Sequence, residues 1–158
     1  MVTMYDHFTD LDPRLTVLSY VKTEDIVSYV ITLDTHTGRC PHCHSTTSQR
    51  HSAYMRVIDD LPIQGRRVQL YLKARKWFCS NALCATKVFT ERFDWLVPYG
   101  QRTIRLDEAL RTIAFSSSCV QGETVTRQLG MPVSHDTLLR LIHKTEMPVP
   151  QSPFCGHR

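Results

Sequence analysis

RVQLYLKARKWFCSNALC, from Arg67 to Cys84, alternates apolar and polar side chains and then runs into two cysteines. Val68, Leu70, Leu72 and Ala74 fall on one side and Arg67, Gln69, Tyr71, Lys73 and Arg75 on the other, the period of two that marks a half-buried strand. The strand predicted over Arg67–Phe78 thus carries a basic outer face and delivers the chain to Cys79 and Cys84. A second thiol pair, CPHC from Cys40 to Cys43, lies upstream.

Two closely spaced thiols on one tight turn form half of a tetrahedral metal site, and zinc is the ion that favours four such soft ligands. A sheet that brings the two turns together would complete the set Cys40, Cys43, Cys79 and Cys84, with one structural zinc ion. A module of this size buries too little apolar surface to be comfortably stable alone, so the metal would be part of the fold. A catalytic zinc would need an open position and usually a histidine or carboxylate ligand. His42, His44 and His51 are the available substitutes should one cysteine not bind. Disulfide pairing is the competing reading. Nothing in MVTMYDHFTDLDP, Met1 to Pro13, resembles a secretory signal, so a reducing, cytoplasmic setting is expected, which favours metal ligation. Cys119 and Cys155 have no thiol close in sequence and are read as a buried small hydrophobe and a tail thiol.

Upstream, Leu15–Tyr20 and Ile26–Leu33 are rich in β-branched and aromatic residues and predict a hairpin. Asp59-Asp60-Leu61-Pro62 and Gln64-Gly65 mark turns before the basic strand. Downstream the period changes. Leu106, Leu110, Ile113 and Ala114 fall at helical spacing from Thr103 onward, with Asp107 and Glu108 early, where the helix dipole favours acids. A short second helix is signalled by Val125 and Leu129 and stopped by Gly130. A third begins at Ser134 as N-cap, with Leu138, Leu141, Ile142 and Thr145 inward and Asp136, Arg140, His143 and Lys144 outward.

The expected fold class is α+β: a small zinc-bound β-rich module followed by a three-helix helix-turn-helix domain. Its divisions are a hairpin lead-in at 1–36, the four-cysteine module at 37–97, the helix-turn-helix at 100–146, and an irregular, proline-containing tail at 147–158. The composition, 42% hydrophobic and 22% charged, speaks against disorder, and no stretch is apolar enough for a membrane span. The formal charge of +4 is uneven: residues 39–92 hold ten basic and three acidic side chains, the footprint of a face that meets a polyanion. Double-stranded DNA is the expected partner. Arg140, His143, Lys144 and Asp136 on the last helix are the candidate contacts, Arg140 first because its fork matches guanine and phosphate alike. Arg67, Lys73, Arg75 and Lys76 on the basic strand join them.

These residues resemble the bacterial insertion-sequence transposases of the ISL-three type. The resemblance rests on CPHC (Cys40–Cys43), HSAYMRVIDDLPIQG (His51–Gly65), KWFCSNALC (Lys76–Cys84), VFTERF (Val88–Phe93) and LGMPVSHDTLLRLI (Leu129–Ile142), and it runs from about Gly38 to Pro150. It implies DNA binding at the terminal inverted repeats of a mobile element, with Cys40, Cys43, Cys79 and Cys84 on zinc. In that family a long catalytic domain with metal-binding acids follows. Here twelve residues without Asp or Glu follow Glu146, so the expectation is a transposase-like, truncated chain that binds and does not cleave. Asp107, Glu108, Glu123 and Asp136 are expected to serve helix dipoles and solubility. Self-association, or pairing with and inhibition of a full-length transposase, is the alternative function. SSSCVQ, Ser116 to Gln121, departs from the glycine-richer turn that the family would lead one to expect.

Overall fold

The computed structural model describes Phe8 and residues 10–145. The tail expected at 147–158, with Cys155, lies outside the described residues, as does Glu146.

The chain begins with the predicted hairpin, β1 (Leu15–Lys22) and β2 (Ile26–Leu33), paired antiparallel. β2 alternates as its sequence demands, with Val27, Tyr29, Ile31 and Leu33 buried. Two short strands, β3 (Gly38–Arg39) and β4 (Thr46–Thr47), bracket the first cysteine pair. Then come the long strands β5 (Arg50–Ile63) and β6 (Arg66–Phe78), joined through Gln64 and Gly65. Both turn residues have positive φ, 53° and 75°, the pattern of a two-residue hairpin turn whose twist matches its strands. β7 (Val88–Thr90) closes back on the end of β6.

The sheet runs β1-β2-β6-β5, and β2 lies parallel to β6, with Val27 opposite Val68 and Ile31 opposite Leu72. A parallel pair needs a long crossover; here it is built from the first cysteine turn and β5. The sheet therefore crosses the boundary expected at residue 36. Val68, Leu70, Leu72 and Ala74 form the buried face of β6, as the alternation predicted. They pack with β2, Ile58, Phe8, Phe93, Trp95 and Leu96 into the main core.

β5 departs from the sequence reading. Asp59 to Pro62 are strand, not turn, and the register shifts between Asp60 and Ile63. That irregularity accommodates Pro62, which has no N–H to give the ladder. The strand escaped notice because RHSAYMRV lacks a clean alternation.

Three helices follow, α1 (Ile104–Ser116), α2 (Cys119–Gln128) and α3 (His135–His143). Each starts on a hydroxyl cap: Thr103 accepts from Leu106 N, Ser118 from Gln121 N, and Ser134 from Thr137 N. The SSSC segment thus needs no glycine. Ser117 ends α1, Ser118 opens α2, and the Ser116 and Ser117 hydroxyls donate back to Thr112 and Ile113 carbonyls. Leu106, Leu110, Ala114, Met131, Leu138 and Leu141 make the helical core. The second helix turns a different face inward from the one that signalled it. Gly122 and Thr126 are buried, whereas Val125 and Leu129 are 38% and 47% exposed. The physical reason is close approach: a Cβ on Gly122 would sit 2.8 Å from Leu138 Cδ1.

The helices are seated on the sheet. Leu61 of β5 packs into the helical core, and the turn after α2 touches the β5–β6 turn. Gly130 has φ +79°, and a Cβ there would meet the Gly65 carbonyl oxygen at 2.8 Å. Gly130→Ala must therefore bear both a left-handed backbone, at about 1–2 kcal/mol, and a backbone clash. Thermal unfolding of that variant is expected at least several degrees below the parent; an unchanged midpoint would show that the turn is not docked. No helix among the described residues is long and apolar enough to cross a membrane.

Candidate metal centre and basic face

The first cysteine turn is closed by backbone: Cys40 N–H donates to the Ser45 carbonyl and His44 N–H to the Cys40 carbonyl, both at 2.9 Å. This tight loop forces His44 to φ 60°. The second turn is held by Cys79 N–H to Lys87 O and Cys84 N–H to Asn81 O, while Leu83 N–H donates to the Asn81 side chain. β6 and β7 carry this turn to the first one, and the four thiols converge. All four sulfurs lie within 4.8 Å of one another, with Cys40 to Cys84 at 4.0 Å and Cys43 to Cys79 at 3.5 Å.

These separations decide the chemistry. A disulfide needs sulfurs about 2.05 Å apart, whereas four sulfurs at about 2.3 Å from one zinc ion stand roughly 3.8 Å from each other. The spacing is that of a zinc tetrahedron. The electrostatics agree. Ser45, through its hydroxyl 3.3 Å from Cys43 Sγ and through its backbone, holds the Cys43 thiol down to about 6. Cys79 is pushed up to about 12: the Asn81 backbone pulls it down, and burial and the neighbouring Cys43, Cys40 and Cys84 thiols outweigh that pull. One thiolate among crowded thiols resists the next, and only a cation relieves a full set of four. The cysteines fit a closed, structural zinc ion, which they hold.

Cys40 and Cys84 are buried, Cys43 and Cys79 half-buried, and they pack with Trp77 and Phe89 in a small separate cluster. Trp77 is fully buried, and a Cβ on Gly38 would come within 2.6 Å of its ring, so that glycine lets the knuckle lie flat on the indole. Of the substitute histidines, His42 Nδ1 lies 3.9 Å from Cys84 Sγ, beside the set, where it can hydrogen-bond to a bound thiolate. His51 stands edge-on to Phe78 instead, and no histidine among the described residues belongs to the cluster. Among the described residues these four cysteines are the one group of three or more potential ligands so arranged. Cys119 packs against the helical core as a small hydrophobe.

The basic residues divide into two kinds. Arg67 is committed to Asp59 through two hydrogen bonds, at 3.0 and 2.9 Å, which hold its guanidinium above its ordinary value. Arg75 donates to the Leu33 carbonyl and the Thr35 hydroxyl and lies 3.8 Å from Glu91. These two arginines brace the sheet. Lys73 is exposed, and Lys76 lies over the Tyr54 ring. On α3, Asp136, Arg140, His143 and Lys144 are all exposed, while Leu138 and Leu141 are buried, as the periodicity predicted. The acids of the helical unit are engaged locally. Asp107 pairs with Arg102, and Glu123 pairs with Arg127 and accepts from the His135 backbone N–H at the start of α3. That backbone bond, with the His135 ring, keeps the Glu123 carboxyl below its usual range.

Two features escaped the sequence reading. Asp60, in a segment read as a turn, is a buried anchor between sheet and helices. Tyr99, 91% exposed with φ 61°, projects from the link between them. A lone tyrosine in a Pro-Tyr-Gly turn carries no signal that would have singled it out.

Residues 36–84 match the family model described as the zinc-finger of transposase IS204/IS1001/IS1096/IS1165. The matched stretch holds both cysteine pairs and the β5–β6 hairpin between them. No curated protein and no solved structure matches the chain.

Proposed function

We propose that the chain is a zinc-stabilised DNA-binding protein of transposase type, whose target is the terminal inverted repeats of a mobile element. One observation carries this reading: a four-cysteine zinc module of transposase type is packed to a three-helix unit whose last helix turns Arg140, His143 and Lys144 to solvent. The short turn from α2 to α3 and the exposed polar face of α3 support a helix-turn-helix with α3 as the helix that enters the major groove. Lys73 and Lys76 extend the basic surface along β6, while Arg67 and Arg75 shape it from inside. The proposal assigns binding to this chain and no strand cleavage.

Duplexes cut from the ends of the host element, compared with a random duplex of equal length, test it. Arg140→Ala is expected to weaken end binding by about 5- to 150-fold if the arginine reads a base. Should it only neutralise a phosphate, the loss is uniform across sequences and the log–log salt slope falls by about one. An Arg140→Ala chain that binds both duplexes as the parent does would remove α3 as the reading helix.

A second reading, association with a full-length transposase or a second copy, is favoured by one observation. β1 is an edge strand, and its Leu18, Tyr20 and Val21 are 56%, 52% and 64% exposed. Open, apolar edges template pairing with another chain. Co-purification with the transposase, without any shift of end DNA by the isolated chain, would favour this reading over the first.

A further inference from the structure

The link between the zinc-bearing sheet and the helices is a turn, Val97-Pro98-Tyr99-Gly100, closed by Gly100 N–H to the Val97 carbonyl at 2.8 Å. Proline stands second and the third residue has positive φ, which is the pattern of a type II turn. That third place normally belongs to glycine. Here it holds Tyr99 at φ 61°, with glycine one position too late to relieve it. A bulky side chain in this conformation is strained and persists only when its surroundings hold it. The Arg56 guanidinium does so, donating to the Gly100 carbonyl at 2.6 Å.

The strain yields no packing. Tyr99 is 91% exposed and Val97 51%. What it yields is position. Tyr99 is the shared rim of two grooves, one of about 280 Å³ reaching Pro41 of the first cysteine turn and one of about 550 Å³ reaching Lys144 at the end of α3. The larger groove is lined by Arg102, Arg111, Arg140 and Lys144, against a single acid, Asp107, already paired with Arg102. Arg111, Arg140 and Lys144 have no ion-pair partner among the described residues, and Arg111 Nε is buried without a hydrogen bond. The smaller groove adds Arg56 and Arg92 against Glu91, which is bound to Thr35 and Arg75. An exposed aromatic ring between two cationic troughs matches a chain of phosphates with a base turned out between them, since any base offers a π-face to stack.

We propose that Tyr99 stacks on an unpaired base of bound DNA while the flanking phosphates lie in the two basic grooves. This rests on the DNA-binding reading above and adds to it that the preferred substrate is a duplex with a single-stranded extension. Such a substrate leaves a base free of its partner, so the protein need not unstack one.

The test compares a blunt duplex with the same duplex carrying a single-stranded thymidine extension, by fluorescence anisotropy on the full chain. The parent is expected to bind the extended duplex more tightly. Tyr99→Ala should lose about tenfold or more on the extended duplex and nothing on the blunt one, whereas Tyr99→Phe and Tyr99→Trp should keep the preference. Tyr99→Gly should lose the same affinity yet melt no lower than the parent, because glycine relieves the turn. Equal binding of the extended duplex by parent and Tyr99→Ala, equal losses on both duplexes, or a Tyr99→Gly chain that melts several degrees lower would each overturn the proposal and leave the DNA-binding reading standing. A parent that binds neither duplex at low salt overturns both.

Discussion

Stripping zinc from the reduced protein is expected to release one ion per chain and to open the two cysteine turns with β3, β4 and β7 around Trp77, while the main sheet and the helices persist. Among the described residues, the cluster holding the cysteines has only Trp77 and Phe89 as large buried partners. That is too little apolar surface to order two turns, a two-residue strand pair and a three-residue strand. Structural zinc contributes an apparent 10–16 kcal/mol, roughly, in small metal-folded modules, so its removal leaves nothing of comparable size. The sheet core and the helical core are separate clusters without a cysteine ligand. Cys84→Ser should reproduce chelation. Tryptophan emission reads the event: in a Trp95→Phe background, the remaining buried Trp77 should shift to the red on chelation while far-UV helix signal is retained. Complete loss of zinc with unchanged Trp77 emission would show that the metal does not hold this region.

Asp60→Ala is the second large effect. The Asp60 side chain is fully buried, and its carboxylate takes the Thr103 hydroxyl at 2.7 Å and Arg105 Nε at 2.8 Å, with a second Arg105 nitrogen on its other oxygen. Thr103 is the α1 cap, so one acid fixes both the start of the helical unit and its seat on β5. Removing the carboxylate breaks a largely buried, hydrogen-bonded ion pair, which costs about 3–5 kcal/mol. Because the Arg105 side chain keeps 22% exposure, the lower end applies, a fall of roughly 6–12 °C in melting temperature. A variant within two degrees of the parent would mean that Asp60 is not the anchor.

The sequence declared what depends on local pattern. The alternation on β6, the hairpin of β1 and β2, the helical spacing from Thr103 onward, the cap at Ser134 and the thiol spacing are all short-range signals, and each predicted its element. The zinc set was legible because ligand chemistry leaves few alternatives for four thiols in two pairs. Long-range facts were not legible. Nothing in Ile26–Leu33 states that it lies parallel to β6, and the loss of alternation at Asp59–Pro62 looked like a turn because a proline in a strand is rare away from irregular edges. The inward face of α2 was misjudged for a related reason: a glycine and a threonine were chosen there by the proximity of Leu138, a contact no window of sequence contains. Basic side chains were the hardest. Arg67 and Arg75 read like a nucleic-acid face, and only their partners Asp59, Glu91 and Leu33 reveal them as internal braces.

The β5–β6 hairpin has a further consequence. Its turn at Gly65 bears the helices, and its far end at Cys79 bears the zinc. β6 spans 13 residues, and at about 3.3 Å each this is a rod of roughly 43 Å. The distance between the zinc module and the turn that seats the helices is therefore set by counting residues in the hairpin, independently of the surface chemistry at either end.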